Sequence, residues 1–316
     1  MPQLMDHPIS RTSAARRLPS SLTWVYRRDN LRSGTLMRGV QLSEMARVRF
    51  SGTIDVNFVE LSEAASLSNA VLILTTSIIN SITPEEVATL RRNASVVCAD
   101  FLDYPPRDDI HEFVDVYIAS SIRQERHLLD RYPGKMVHRV THHVDPEIGV
   151  IRPPSDACRI GYFGEYRNAL HRENLGAAID FVQTNNSEVT DRSWLRKLNR
   201  YNCHYAVREH SLPRRNPPPD SFKPFTKGFT AAHCLSNIIV PADESDALFY
   251  LGSDYPYLLK DNALHSVNSI ISKAVETFGG TEWNRGLEMM EEVRQRSSTS
   301  HIMVELTRLI DRIARL

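Results

Sequence analysis

Residues 222–241 read FKPFTKGFTAAHCLSNIIVP, and a proline-rich run, RRNPPPDS at 214–221, stops just before them. Behind Lys223, Thr226, Lys227 and Thr230 come small and apolar residues that pack one helical turn on the next. Ser236 and Asn237 break that pattern. Ile238, Ile239 and Val240 then form a short apolar run of the kind that makes a fully buried strand. The order is loop, helix, turn, strand, with two lysines and two threonines where the helix begins. Free backbone N–H groups at a helix start attract anions, and lysines beside them strengthen the attraction. The stretch therefore predicts a helix that holds the phosphates of a nucleotide-linked substrate.

The segments before it repeat the same logic. Strand-like runs stand at 22–26 (LTWVY), 54–61 (IDVNFVEL), 70–79 (AVLILTTSII), 95–99, 114–119 and 135–141, separated by helical patterns at 36–48, 83 onward and 122–132. Thr83, Pro84 and Glu86 carry the spacing of a capping box with proline in the first turn. A second series begins at 159–163 (RIGYF), with helices expected at about 174–182 and 194–201 and a strand at 203–207. Residues 242–260 read mostly as loop, and helices close the chain at 263–277, 284–296 and 300–316. Apolar strands alternating with helices specify parallel sheets covered on both faces, whose ligands gather at the carboxyl ends of the strands.

Length and composition agree. A chain of 316 residues exceeds one ordinary core and predicts two domains. The division expected is a flexible lead-in at 1–21, a first domain at 22–148, a linker at 149–158, a second domain at 159–296 and a final helix at 297–316 packing back on the first domain. Lys+Arg and Asp+Glu are equal at 38 each, which argues against nucleic acid as a partner. Cys98, Cys158, Cys203 and Cys234 have no C-x-x-C spacing and read as buried free thiols of a reducing compartment. No apolar run reaches the roughly 20 residues of a membrane span. The chain thus reads as cytoplasmic, with attachment to a membrane surface still compatible.

The landmarks, taken in order, resemble the GT-B class of glycosyltransferases, in which two Rossmann-like domains face each other across a cleft. The first half ends in strand, Ser120-Ser121, helix, short strand and His142-His143-Val144-Asp145, where many members of the class have Asn-Gly-Val-Asp. RIGYFGEYRN at 159–168 is similar to the first strand and glycine loop of the donor domain. KPFTKGFTAAHCLSNIIV at 223–240 lines up with the class pattern E-P-F-G, a later glutamate and a buried strand. The pattern's two glutamates, eight positions apart, are Lys223 and Ala231 here, and its glycine is Thr226. The retaining chemistry tied to those glutamates does not carry over.

The resemblance implies an α/β fold, a nucleotide-sugar donor bound by the second half, and an acceptor hydroxyl of a glycan, a lipid-linked sugar or a small molecule bound by the first. It implies no cofactor, and no metal, since no Asp-x-Asp stands at a strand end. Donor contacts are expected from Gly164, Glu165 and Arg167 after one strand and from Lys223, Thr226, Lys227 and Thr230 at the helix start. The ordinary alternative is a plain turn and solvated lysines. His143 (with His142 beside it), Asp100 and Asp103 lie at strand exits as candidate catalytic bases, although such carboxylates also commonly cap turns. Gly34, Arg38, Asp243 and Glu244 are candidate sugar or acceptor contacts. Rival readings are a non-catalytic protein of the same fold, motivated by the missing glutamates, and a transferase acting on nucleic acid. Another Rossmann-type enzyme would want a G-x-G-x-x-G or a P-loop, and neither is present.

Overall fold

The computed structural model describes residues 19–28, 33–102, 106–149, 151–184, 192–208, 222–244 and 246–316. Two parallel sheets organise it. The first has six strands, β1 (Ser21–Tyr26), β2 (Asp55–Glu60), β3 (Val71–Leu74), β4 (Val96–Phe101), β5 (Val116–Ala119) and β6 (Met136–Arg139), in the order β2-β1-β3-β4-β5-β6. The second has β7 (Ile160–Gly164), β8 (Asp180–Gln183), β9 (Cys203–Tyr205), β10 (Asn237–Pro241) and β11 (Leu258–Leu259), in the order β11-β10-β9-β7-β8. Every pairing is parallel.

The order in which strands are added to each sheet reverses at one place, between β1 and β3 in the first and between β7 and β9 in the second. A crevice opens outside the strand ends at such a reversal, and ligands bind there. The two reversals therefore say where to look.

Each face of the first sheet is covered. Ile302, Leu306, Leu309 and Ile313 of the final helix, Thr299–Ile313, pack with Leu22, Trp24 and Leu42 on one face. Arg312 Nη1 donates to Val137 O at 2.9 Å, and Glu305, itself buried, accepts from Thr141 N at 2.7 Å. The last helix of the chain is thus tied to the first sheet by packing and by polar bonds. The halves are joined once more at Asp246. Its carboxylate, from the second half, accepts from Ile122 N at 2.7 Å and Arg123 N at 3.2 Å, so it satisfies the free N–H groups that open helix Ile122–Arg131 of the first half.

The capping box at Thr83 forms as the spacing predicts, with Glu86 N donating to Thr83 Oγ1 and Thr83 N donating to the Glu86 carboxylate. Other segments differ from the sequence pattern. The helix expected at 174–182 is a single turn, Arg172–Leu175, followed by edge strand β8, in which Phe181 and Val182 are only half-buried at the sheet margin. Residues 242–260 are mostly loop, as expected, and carry in addition a short helix, Ala247–Leu251, and β11. The helix after β1 opens with a short α turn, Ser33–Thr35, passes into a π-helix, Leu36–Gln41, and continues as Leu42–Arg49. Such wide turns are frequent at functional sites.

The stretch that decides the fold becomes helix Thr226–His233 leading into β10. Gly228 is what seats it. A Cβ there would lie 1.9 Å from Phe225 Cε1, and that ring is itself buried, stacked on Tyr250 and edge-on to Phe229. Gly228→Ala is expected to destabilise the protein by about 1–3 kcal/mol through overpacking, although alanine is the better helix former by about 1 kcal/mol. A urea midpoint equal to or above wild type would show that the ring has room to move.

Candidate functional site

The exits of the strands at both reversals meet across a cleft. Two adjoining cavities occupy it, of about 200 Å³ and about 280 Å³, and both are lined by Met37, Thr226 and Lys227. Residues from both halves form their walls. Gly34 and His142 come from the first half and Gly164, Arg208 and Lys223 from the second in the larger cavity. Gln41 and Asp145 face Phe163, Trp194 and His204 in the smaller.

Lys227 stands where the two cavities join. Its Nζ donates to Phe163 O at 2.7 Å and lies 3.8 Å from the centre of the Tyr162 ring. Part of the residue reaches the surface, but the ammonium is hemmed in. Desolvation, and after it the charge of Arg208, pushes its pKa well below the ordinary lysine value. An anion arriving between Lys227 and Arg208 would restore the lost solvation, so the pair is poised for a negatively charged group. The start of helix Thr226–His233 lies at the same place, and no side chain caps it. Its first N–H groups add to the positive field.

Gly164 has φ +147°, and a Cβ there would meet the Tyr162 hydroxyl at 3.0 Å, so close backbone approach at the end of β7 requires glycine. The other two candidates of this loop turn away. Arg167 is exposed and pairs with Glu165 at 2.6 Å, and neither lines the cavities. The arginine brought to the cleft is Arg208, which follows β9 and pairs with the buried Glu244 at 3.6 Å. Its position after a strand was the signal that pattern reading passed over. Thr226 and Lys223 line the larger cavity, and Thr230 lines the smaller while its hydroxyl bonds back to Thr226 O at 3.0 Å. Asp243 is exposed and away from both cavities.

On the opposite wall, Arg38 and Asp100 are both wholly buried and paired through Nε and Nη2 to both carboxylate oxygens. Arg38 Nη1 also donates to Val140 O at 2.8 Å and Thr141 O at 3.3 Å. Burial pushes the Asp100 carboxyl up and Arg38 pulls it back. This geometry gives Asp100 no contact with the cavities and ties the π-helix to the exits of β4 and β6. Asp103 lies outside the described residues. His143 donates Nε2–H to Gln41 Oε1 at 3.1 Å, an assignment that follows because Gln41 Nε2 donates to Asp145 Oδ2 at 2.9 Å. Of the two histidines it is His142 that lines the larger cavity, and among the described residues its buried Nδ1 has no hydrogen-bond partner.

His142, His143 and His204 are all buried. Burial drives each imidazole down, His143 and His204 to about 3 and His142 well below its ordinary value, with Arg38 or Lys227 adding to the effect. Each is therefore neutral in the folded chain and takes a proton on unfolding below about pH 6.5. The stability they contribute is complete above that pH and is lost as pH falls toward 3, at most about 1.4 kcal/mol per pH unit for each. The melting temperature should fall from pH 7 to pH 5, and His142→Asn should make that slope shallower. A flat profile over this range would mean that these rings are not buried neutral.

No family model and no curated protein matches the chain. Solved structures do. A glycosyltransferase from Rickettsia africae superimposes over 93% of this chain and 98% of its own, at a TM-score of 0.62 and 9% identity. HepE from Anabaena, solved with UDP and glucose, covers 95% and 100%, at 0.60 and 8%. Sucrose-phosphate synthase from Thermosynechococcus elongatus covers 92% and 99%, at 0.55 and 9%. The likeness shows the fold: the chain has two Rossmann-like domains in the GT-B arrangement that these glycosyltransferases have.

Proposed function

We propose that the chain is a glycosyltransferase that moves a sugar from a nucleotide-sugar donor to an acceptor hydroxyl without a resident metal. The observation that carries this reading is the convergence of Lys227, Arg208 and an uncapped helix start at the β7–β9 reversal of a GT-B fold. In such a transfer the bond between the anomeric carbon and the diphosphate oxygen breaks, and its electron pair goes to the diphosphate. Charge grows on that leaving group, and fixed cations and N–H dipoles aimed at it lower the barrier. Gly164 lets the backbone come close to the same group. Neutral His142 faces it from the acceptor half, where it can hydrogen-bond the sugar or receive the acceptor proton. The Arg38–Asp100 pair positions the helical segment carrying Gly34 and Met37.

A panel of UDP-, GDP-, ADP- and CMP-linked compounds in a thermal-shift assay tests the reading, since a ligand of the native state must raise its melting temperature. Stabilisation by at least one nucleotide, with turnover unaffected by a chelator, is expected. No shift with any of them would contradict it. One observation favours a second reading, a nucleotide-sugar-binding protein without activity. Asp145 is the single carboxylate among the described residues lining the two cavities, and it is held by Gln41 and by Arg192 at 3.3 Å. Tight binding with neither transfer nor donor hydrolysis would select that reading.

A further inference from the structure

We infer that Glu244 is a positioning residue of the anion site: it holds the Arg208 guanidinium at the cleft and sets a negative charge beside Lys227. This rests on the donor reading above. Glu244 lies in the turn that leaves β10, where its N–H donates to Pro241 O at 3.1 Å and its carbonyl accepts from Ala247 N at 2.9 Å. The turn fixes its backbone, and its side chain is buried. Its Oε1 stands 3.6 Å from Arg208 Nη2, and Arg208 is the more exposed partner and lines the larger cavity. Glu244 itself lines neither cavity, so its effect on a bound diphosphate passes through Arg208 and Lys227.

A buried carboxylate at the edge of an anion site has two costs. Leaving water is unfavourable for it, and its charge opposes the diphosphate. Two gains offset them. An arginine side chain has many rotamers, and a fixed carboxylate at one nitrogen reduces the freedom that its fork must give up when a phosphate binds. The second gain is at Lys227. Burial and Arg208 both drive its ammonium toward the neutral amine, and Glu244 opposes them. A lysine without its proton brings no charge to the leaving group. The other titratable groups around it do not take that part. Burial pushes Tyr162 on β7 up to about 12 and His204 on β9 down to about 3, so both are uncharged near neutral pH, as is buried His142 across the cavity. Lys223 lines the larger cavity, and Asp145 lines the smaller, where Gln41 and Arg192 hold it.

Titration calorimetry of the full chain with uridine diphosphate at pH 7, 8 and 9 tests the assignment in Glu244→Gln, Arg208→Gln and the double variant. Glutamine keeps the shape and removes the charge. Through space alone, deleting a carboxylate beside two cations would tighten the binding of an anion, so a positioning role predicts the opposite sign. Glu244→Gln is expected to bind roughly three- to tenfold more weakly than wild type at pH 7. Lys227 then gives up its proton at a lower pH, so the gap should widen toward pH 9. Added to Arg208→Gln, the Glu244→Gln change should cost little more at pH 7, because the fork it positions is already gone. Glu244→Asp, which keeps the charge, should recover part of the affinity and the wild-type pH profile. Equal or tighter binding in Glu244→Gln with an unaltered pH profile, while Arg208→Gln loses affinity, would overturn the role of Glu244 and leave the anion site standing. Absence of binding in wild type would instead overturn the donor reading on which it rests.

Discussion

Replacing Arg38 by methionine is expected to lower the melting temperature by on the order of 10 °C. Both partners of the Arg38–Asp100 pair are fully buried. Breaking such a pair leaves an uncompensated carboxyl and costs about 3–5 kcal/mol, and roughly 2–4 °C accompanies each kcal/mol in a chain of this size. Val140 O and Thr141 O lose their guanidinium donor at the same time. Asp100 then has burial pushing its carboxyl up with nothing to oppose it, so it takes a proton. Removing both charges in Arg38→Met/Asp100→Leu should recover part of the loss, because the desolvation cost of the pair disappears with the pair. Recovered stability without recovered turnover would show that the pair also sets the π-helix beside the cleft. A single Arg38→Met variant as stable as wild type would remove the pair from the account of the fold.

Lys227→Ala is expected to reduce turnover of a nucleotide-sugar by roughly 10²–10³-fold, the range seen when one preorganised group facing developing charge is deleted. The ammonium is oriented by Phe163 O and the Tyr162 ring and has Arg208 nearby. Loss of a cation from such a setting removes charge stabilisation without opening the core. The folded chain should be no less stable than wild type, since a desolvated lysine costs free energy when no anion is bound. Lys227→Arg should not rescue, because the planar fork does not fit a seat shaped for a compact ammonium. Unchanged turnover in Lys227→Ala would mean that this residue is only part of the packing.

The fold was largely written in local patterns. Apolar runs at β3, β4 and β5 and the capping box at Thr83 are set by neighbours in sequence, and so they could be read there. Edge strand β8 could not, because its burial is partial and its four residues, Asp180-Phe-Val-Gln, carry no alternation to mark a strand. The lining of the cleft was legible where a residue type coincides with a strand exit or a helix start, as at Gly164, Lys227 and His142, whereas His143, the preferred histidine, turns to Gln41 instead. It was not legible where distant partners decide a role. Asp100 looks like a free carboxylate until Arg38, 62 positions away, is found on it. Arg167 looks like the fork on the phosphate, but a glutamate two residues back holds it at the surface and Arg208 stands in the cleft instead. The π-helix that aims Arg38 has no sequence period of its own.

The proposed seat of the donor's charged group lies between Lys227, Arg208 and the start of helix Thr226–His233. Titration calorimetry with uridine diphosphate on wild type and Arg208→Gln tests that placement most directly. The account predicts binding at a single site in wild type and a loss of roughly tenfold or more in Arg208→Gln, with the melting temperature of the unliganded protein little changed. Binding of equal strength in the two proteins, or none in wild type, would contradict it.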